Sequence, residues 1–383
     1  MNKFIIDRTN LTYPKTLSLD HLNHEIESTP RRYILKGFKT IKDLRNILNT
    51  KLLNQGCLII DKAVFNIYFK NDIKFDIKRV YLVDALESNK NIETVLDICN
   101  FYAENNINKG SDIYVIGGGI LQDLGGSASY LFKRGVPWSY IPSTLLGISD
   151  SCLGGKTAVN FKTYKNLLGL FSAPREVLLC TDFIDSLSEQ DLACGYGEIF
   201  RLSLTGGTES FKIFNTYIAE SIKGNKEATK KLIITSLLVK KAVIEEDEYE
   251  INIRKSMNYG HTIGHAIEGL SNFEIPHGIG VAIGILIENE LSKNLNLMSH
   301  ALCNDILNSA KTIIDKKYID ILSDISFLDI SEHLRKDKKT VGNKANFTYL
   351  SELGDMQFAY NDIDKINEFI LKSKDEIVRV LKN

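Results

Sequence analysis

The sequence predicts an α/β domain with a mostly parallel sheet, followed by an all-helical domain. Three observations carry that prediction. At 383 residues and 44% hydrophobic content, the chain exceeds the usual size of one core and can bury two. From about Arg31 to Leu179 short apolar runs alternate with helical patterns, the order that builds a parallel sheet. After Asp185 the strand-like runs give way to helical spacing, so the domains are placed at 1–184 and 185–383.

Element by element, GCLIID (Gly56 to Asp61), RVYLVD (Arg79 to Asp84), DIYVIGGG (Asp112 to Gly119), WSYIPST (Trp138 to Thr144) and EVLLCTD (Glu176 to Asp182) read as buried strands closed by polar or glycine punctuation. Between them, NIETVLDICNFYAENN has helical apolar spacing, and LQDLGGSASYLFKRG reads as a helix stopping at Gly135 after a basic last turn. Four long helical patterns follow Asp185, with no internal repeat and no low-complexity linker. The first 30 residues read as an extended arm or an added strand.

Charge and cysteine usage exclude several classes. Lys and Arg total 47 against 48 Asp and Glu, so no global field draws the chain to nucleic acid or to a membrane surface. Any anion site must come from a local cluster. The six cysteines include no CxxC pair, which argues against a zinc ribbon or a disulfide framework and fits a reducing cytoplasm. No run has the length of a signal-peptide core or a membrane span, so the expectation is a soluble, non-exported protein.

Three stretches could carry chemistry. VIGGGILQDLGG follows a strand and opens a helix, where backbone N–H groups can meet a pyrophosphate; a tight turn would use the same glycines. DSCLGGKTAVNFKTYKN gathers Lys156, Lys165 and Asn166 behind two glycines, with Asp150 upstream; it reads as an anion cradle or as a lysine-bearing surface loop. NYGHTIGHAIE places His261 and His265 on one helical face, and His277 and Glu198 lie at the edges of other helical patterns. Three ligands from His and Glu plus open positions describe a catalytic divalent metal. Spacing alone pairs His261 with His265 and takes His277 third, while His21, His24, His300 and His333 read as structural.

Together these motifs resemble the dehydroquinate synthase family of sugar phosphate cyclases, in order from about Asp61 to Gly354: GGGILQDLGG, KRGVPWSYIPSTLLGISDSCLGGKTAVN, YKNLLGLF, NYGHTIGHAIE and HGIGVAIG. The resemblance implies a Rossmann-like NAD-binding domain, a helical metal- and substrate-binding domain, an active site in the cleft between them, and a homodimer. It implies Glu198, His261 and His277 as ligands of zinc or cobalt, and turns His265 to the substrate instead. Asp150, Lys156, Lys165, Asn166, Lys240, Glu250, Arg254 and Asn258 fall on pocket positions, and Arg134 on one that reaches a neighbouring subunit's site. Lys339 is a candidate for the family's late lysine. NAD is implied at Asp61, Glu87, Lys90, Gly118, Gly119, Asp123, Ser143, Thr144 and Thr181.

The implied reaction converts a seven-carbon keto sugar acid phosphate to 3-dehydroquinate. A hydride passes to NAD, phosphate leaves by β-elimination, the hydride returns, and an intramolecular aldol step closes the ring. Arg254 suits the substrate carboxylate, which a guanidinium grips bidentately. One departure cuts the other way: Arg201 stands where the family usually has Lys, and that exchange is not conservative in a crowded pocket. Gln122 replaces a common Gly, and CGYGE differs from the usual lead-in. The alternatives are a sister cyclase acting on sedoheptulose 7-phosphate, of the 2-epi-5-epi-valiolone synthase kind, and a metal-dependent polyol dehydrogenase.

Overall fold

A computed structural model describes residues 1–382 apart from 16, 29–30, 53–55, 73, 75, 163 and 337–341; at 327–329 and 359 only the backbone is described. Lys339 therefore lies outside the described residues. The chain forms two compact units, Leu17–Leu187 and Met1–Thr16 together with Ser188–Asn383.

The division falls after Leu187 rather than near 184, and the first 16 residues leave the α/β unit that was expected to contain them. The reason is pairing. β1 (Asn2–Ile6) and β2 (Thr9–Tyr13) form an antiparallel pair, and β1 lies parallel to a strand near the C-terminus.

In the first unit, β3 (Asn23–Ile26), β4 (Tyr33–Phe38), α1 (Ile41–Lys51), β5 (Cys57–Asp61), α2 (Lys62–Tyr68), β6 (Val80–Val83), α3 (Ile92–Glu104), β7 (Ile113–Gly117), α4 (Gly119–Leu131), β8 (Ser139–Pro142), β9 (Lys156–Phe161), β10 (Tyr164–Phe171) and β11 (Glu176–Cys180) follow in order. Seven strands make one sheet, β3-β4-β11-β8-β7-β5-β6, parallel except for β3. Its middle strands are buried, as continuous apolar runs such as CLII and IYVI require. Leu58, Ile60, Tyr114, Ile116 and Leu178 pack with Leu44 and Leu48 of α1, whose first turn is capped by Thr40. β9 and β10 form a separate antiparallel hairpin that packs on α4.

The helix read as running to Gly135 stops at Leu131. Lys133 (φ 48°) and Arg134 (φ 59°) take left-handed conformations before Gly135 (φ 97°). The Phe132 ring packs edge-on against Tyr102, and Lys133 Nζ donates to the Ile107 carbonyl at 2.7 Å, which fixes this turn.

The second unit adds α5 (Glu189–Thr205), α6 (Thr208–Ile222), α7 (Lys226–Glu246), α8 (His261–Leu270), α9 (His277–Asn294), α10 (His300–Ala310), α11 (Lys316–Asp324), α12 (Phe327–Lys336), β12 (Lys344–Glu352), β13 (Asp355–Asp362) and α13 (Ile363–Lys382). α9 is its axis, buried all round and packed against α5, α8, α10 and α13. The unit is helical but carries a four-stranded sheet, β12-β13-β1-β2, which the all-helical expectation lacked.

Candidate functional site

In the α/β unit the residues expected around NAD all follow the carboxyl ends of parallel strands. Asp61 closes β5, Glu87 and Lys90 follow β6, Gly118, Gly119 and Asp123 follow β7, Ser143 and Thr144 follow β8, and Thr181 follows β11. The strand order therefore brings them along one edge of the sheet, the edge where open α/β sheets bind ligands. Gly118 precedes α4 without a side-chain cap, so the first N–H groups of the helix stay open to an anion. A Cβ on Gly118 would press on the Thr144 methyl at 2.9 Å, which explains the residue. Thr144 Oγ1 in turn accepts from Gly147 N at 3.0 Å, holding the π-helical turn Gly147–Ser151 that carries Asp150. Gln122 has taken up a structural task there: its amide donates to the Ser151 carbonyl at 2.8 Å and accepts from the Ser151 hydroxyl at 2.9 Å.

Lys156 opens β9, whereas Lys165 and Asn166 lie in an irregular stretch of β10 where the pairing register shifts. Lys90, only 7% exposed, binds Asp123 Oδ2 at 3.0 Å and Asn166 Oδ1 at 2.5 Å, so an expected cofactor group and an expected substrate group already touch. Burial raises the Asp123 carboxyl above its ordinary range, and Lys90 opposes the shift without cancelling it.

In the helical unit Glu198 projects from α5, His261 and His277 are the first residues of α8 and α9, and His265 is one turn along α8. These helices cross at glycines. A Cβ on Gly197 would collide with the Gly278 carbonyl, so α5 and α9 meet backbone to backbone beside Glu198 and His277. Gly260, left-handed at φ 75°, turns the chain into α8 and donates its N–H to buried Glu288 at 3.0 Å. Thr262 ties the same helix to the Asn346 carbonyl of β12 at 2.7 Å.

The resulting centre is tight. Glu198, 1% exposed, places Oε1 3.3 Å from His261 Nε2 and 3.1 Å from His277 Nε2. Two ligands on a tetrahedral zinc lie roughly 3.3 Å apart, since Zn–N and Zn–O bonds are both near 2 Å. One donor nitrogen from each of His261, His265 and His277 falls within 4.8 Å of the others. The remaining ring nitrogens of His261 and His277 are occupied: His261 Nδ1 faces the Tyr259 carbonyl at 3.2 Å and His277 Nδ1 meets Glu268 Oε2 at 2.9 Å. Outer partners of this kind orient histidines toward a metal, so the residues present fit a divalent ion.

Burial alone would raise the Glu198 carboxyl, but the Arg201 guanidinium and the two histidines outweigh it and hold the group well below the carboxylate range. Burial lowers His261. It would lower His277 too, yet bonds to Glu198 and Glu268 push that ring up to about 10.

Arg201 is bonded to Glu198. It is 2% exposed, its Nε donates to Glu198 Oε2 at 2.6 Å, and its Nη1 approaches Met257 Sδ at 3.4 Å. The fork thus occupies one carboxylate oxygen and leaves Oε1 facing the histidines. Lys240 is buried on α7. Asn258 Nδ2 donates to Glu250 Oε1 at 2.7 Å, and buried Arg254 donates through Nη1 to the Glu248 carbonyl. Arg134 is exposed at the end of the α4 turn.

Sequence reasoning missed two carboxylates. Glu268 lies seven residues after His261, two turns along the same face, so its spacing was a usable signal. Asp247 had none: it accepts from the N–H groups of Ile251, Asn252 and Arg254 at 2.8–3.0 Å and so shapes the loop that carries Glu250 and Arg254.

By class, this is a two-unit protein in which a parallel sheet of the dinucleotide-binding kind accompanies a helical unit holding a carboxylate and three histidines as a catalytic-metal centre would. Family models described as 3-dehydroquinate synthase N-terminal and C-terminal match residues 80–194 and 195–340. A 3-dehydroquinate synthase of Pelagibacter ubique is 33% identical over 360 residues, covering 91% of this chain and 97% of its own length. The chain belongs to the 3-dehydroquinate synthase family.

Solved structures show the same fold. A 2-deoxy-scyllo-inosose synthase complexed with carbaglucose-6-phosphate, NAD+ and Co2+ superposes with a TM-score of 0.77 at 22% identity, covering 91% of this chain and 99% of that one. A 2-epi-5-epi-valiolone synthase from Streptomyces hygroscopicus with NAD+ and Zn2+ bound gives 0.76 at 21%, covering 90% and 97%. Among the described residues no helix is long and apolar enough to cross a membrane.

Proposed function

We propose that the chain is a 3-dehydroquinate synthase, a carbon–oxygen lyase that closes a seven-carbon keto sugar acid phosphate to 3-dehydroquinate with release of phosphate. The observation that carries this reading is Glu198 Oε1 facing His261 and His277 at the spacing of ligands on one ion, in a chain of this family. A bound divalent metal, zinc or cobalt, would polarise a substrate hydroxyl, and NAD would take up and return the hydride.

The chain's own residues do the rest. Glu198, His261 and His277 hold the ion, and Glu268 and Arg201 fix how they face it. Lys156, Lys165 and Asn166 supply charge and an amide donor for the phosphate, and His265 manages its protons. Arg254, buried and steadied by the Glu248 carbonyl, receives the substrate carboxylate. Lys240, Glu250, Asn258 and Asp150 are assigned to the substrate, and the late lysine to Lys339. The glycines and hydroxyls at the sheet edge receive NAD.

A second copy of the chain completes the reading. Tyr130 and Leu131, about half exposed at the end of α4, flank Arg134 and offer an apolar seat for the partner. The six thiols are all unbridged, in keeping with a cytoplasmic setting, and 3-dehydroquinate as product would put the chain's service in the shikimate pathway.

Arg201, bonded to Glu198 where the family usually has Lys, keeps one competitor open. That competitor is a sister cyclase acting on sedoheptulose 7-phosphate. Phosphate release should be measured with each sugar phosphate, alongside absorbance at the NADH wavelength. Release from the seven-carbon keto acid without net NADH is the expected result. Release only from sedoheptulose 7-phosphate would assign the sister reaction, and net NADH accumulation a polyol dehydrogenase.

A further inference from the structure

Asn160, on β9, has no place in the reading above, yet it joins the two halves of the α/β unit's site. Its Nδ2 donates to Glu87 Oε1 at 2.9 Å, and its backbone N–H donates to the Lys90 carbonyl at 2.8 Å. Its Oδ1 accepts the backbone N–H of Asn166 at 2.9 Å. That last bond matters because Asn166 stands at φ 52° where the β9–β10 register shifts. At such an irregularity an N–H loses its ladder partner and must find another. The Asn160 amide supplies it, and so holds Asn166 in its left-handed conformation.

The side chain of Asn166 is fixed from the other direction. Lys90 Nζ, itself anchored on Asp123, donates to Asn166 Oδ1. An amide whose oxygen is held by an ammonium turns its NH2 group away, and that group can only donate. An anion that reaches it would meet a donor. Asp123 Oδ1 adds a further tie by accepting Ala158 N at 3.0 Å, next to Asn160 in the chain.

We propose that Asn160 is a positioning residue that couples the Glu87–Lys90 turn to the anion-donating amide of Asn166, so that NAD and a phosphate group bind cooperatively. This rests on the reading of Glu87 and Lys90 as cofactor groups and Asn166 as a phosphate group. NAD hydroxyls engaging Glu87 and Lys90 would immobilise the acceptors and donors that hold Asn160 and Asn166. The ordering cost is then already met when the anion arrives, and linkage requires the anion to tighten NAD by the same factor.

The test is calorimetric titration of NAD into the metal-loaded chain with and without saturating inorganic phosphate. In the unaltered protein phosphate should tighten NAD roughly fivefold or more, the lower end of typical coupling. In Asn160→Ala each ligand should still bind alone, and the ratio should fall toward one, with only the direct Lys90–Asn166 bond left to carry a remainder. Asn160→Asp is the second variant: it keeps the acceptor for Asn166 N–H but sets a like charge against Glu87, and should also lose the ratio. A merely structural defect would weaken both ligands and leave the ratio intact. NAD binding with a ratio of one in the unaltered chain, or a ratio preserved in both variants, would overturn the coupling alone. Failure of the unaltered chain to bind NAD would overturn the coupling and the proposed function together.

Discussion

Replacing Arg201 by Met tests whether the guanidinium serves the metal-holding carboxylate. Glu198 and Arg201 are 1% and 2% exposed and share a 2.6 Å charge-assisted bond, so neither can recover water when the other is removed. Deleting one partner of such a buried pair costs about 3–5 kcal/mol, most of it the stranded charge. For a unit of about 200 residues, that is a fall in melting temperature of roughly 6–20 °C in the metal-free protein. A bound divalent ion would compensate the same carboxylate, so the metal-loaded variant should lose much less.

The pH dependence supplies a second readout. Glu198 is held below its unfolded value, so its contribution is present above about pH 4.5 and is lost as pH falls through the depressed folded value. Without Arg201, burial, the largest opposing influence, should lift the carboxyl toward neutrality. Metal uptake by Arg201→Met at acid pH should then release more protons than uptake by the parent protein. Calorimetry in two buffers of different ionisation heat, with melting curves with and without metal, measures both effects. Equal melting of the two metal-free proteins together with equal proton release would refute the assignment.

Three further outcomes follow from the same geometry. Gly197→Ala forces α5 off the Gly278 carbonyl, so it should cost about 1–3 kcal/mol of stability and separate Glu198 from His277, lowering metal affinity by chelator competition; unchanged affinity would show the crossing to be slack. His265→Ala should keep its metal by elemental analysis while slowing phosphate release; a chain that loses the metal would make His265 a ligand. In the metal-free chain His277 is held up to about 10, which stabilises that form below about pH 6.5 and ceases to do so as pH rises through 10. A metal needs the neutral ring, so uptake at pH 7 should release about one proton and affinity should climb roughly tenfold per pH unit, against a flat profile if His277 lies outside the site.

What the sequence disclosed depended on how local the cause was. The strands that aim at the sheet edge were legible because parallel strands buried on both faces are bare apolar runs, as in CLII and IYVI. The hairpin β9–β10 carries no strand signal in the sequence, since Leu167 and Leu168 lie exposed and a register shift breaks the alternation that would mark a strand. The sheet of the helical unit was hidden for another reason: β1 finds β13 some 350 residues away, and no local pattern encodes that partner. The candidate site divides in the same way. His261 and His265 share a helical face by spacing, and Glu268 two turns further on was equally readable. Arg201 also had a readable spacing, three residues after Glu198, the separation at which helical side chains meet. Its family position alone marks it only as an Arg where a Lys is usual. Asn160 could not have been found at all, because its meaning lies in bonds to Glu87 and Lys90, 73 and 70 residues earlier, made by backbone and amide atoms that any asparagine carries. The residues that touch ligands are chosen for their chemistry and leave a chemical trace in the sequence. Those that position them are chosen for a place in the fold, and only the folded chain distinguishes them from ordinary surface polarity of the same composition.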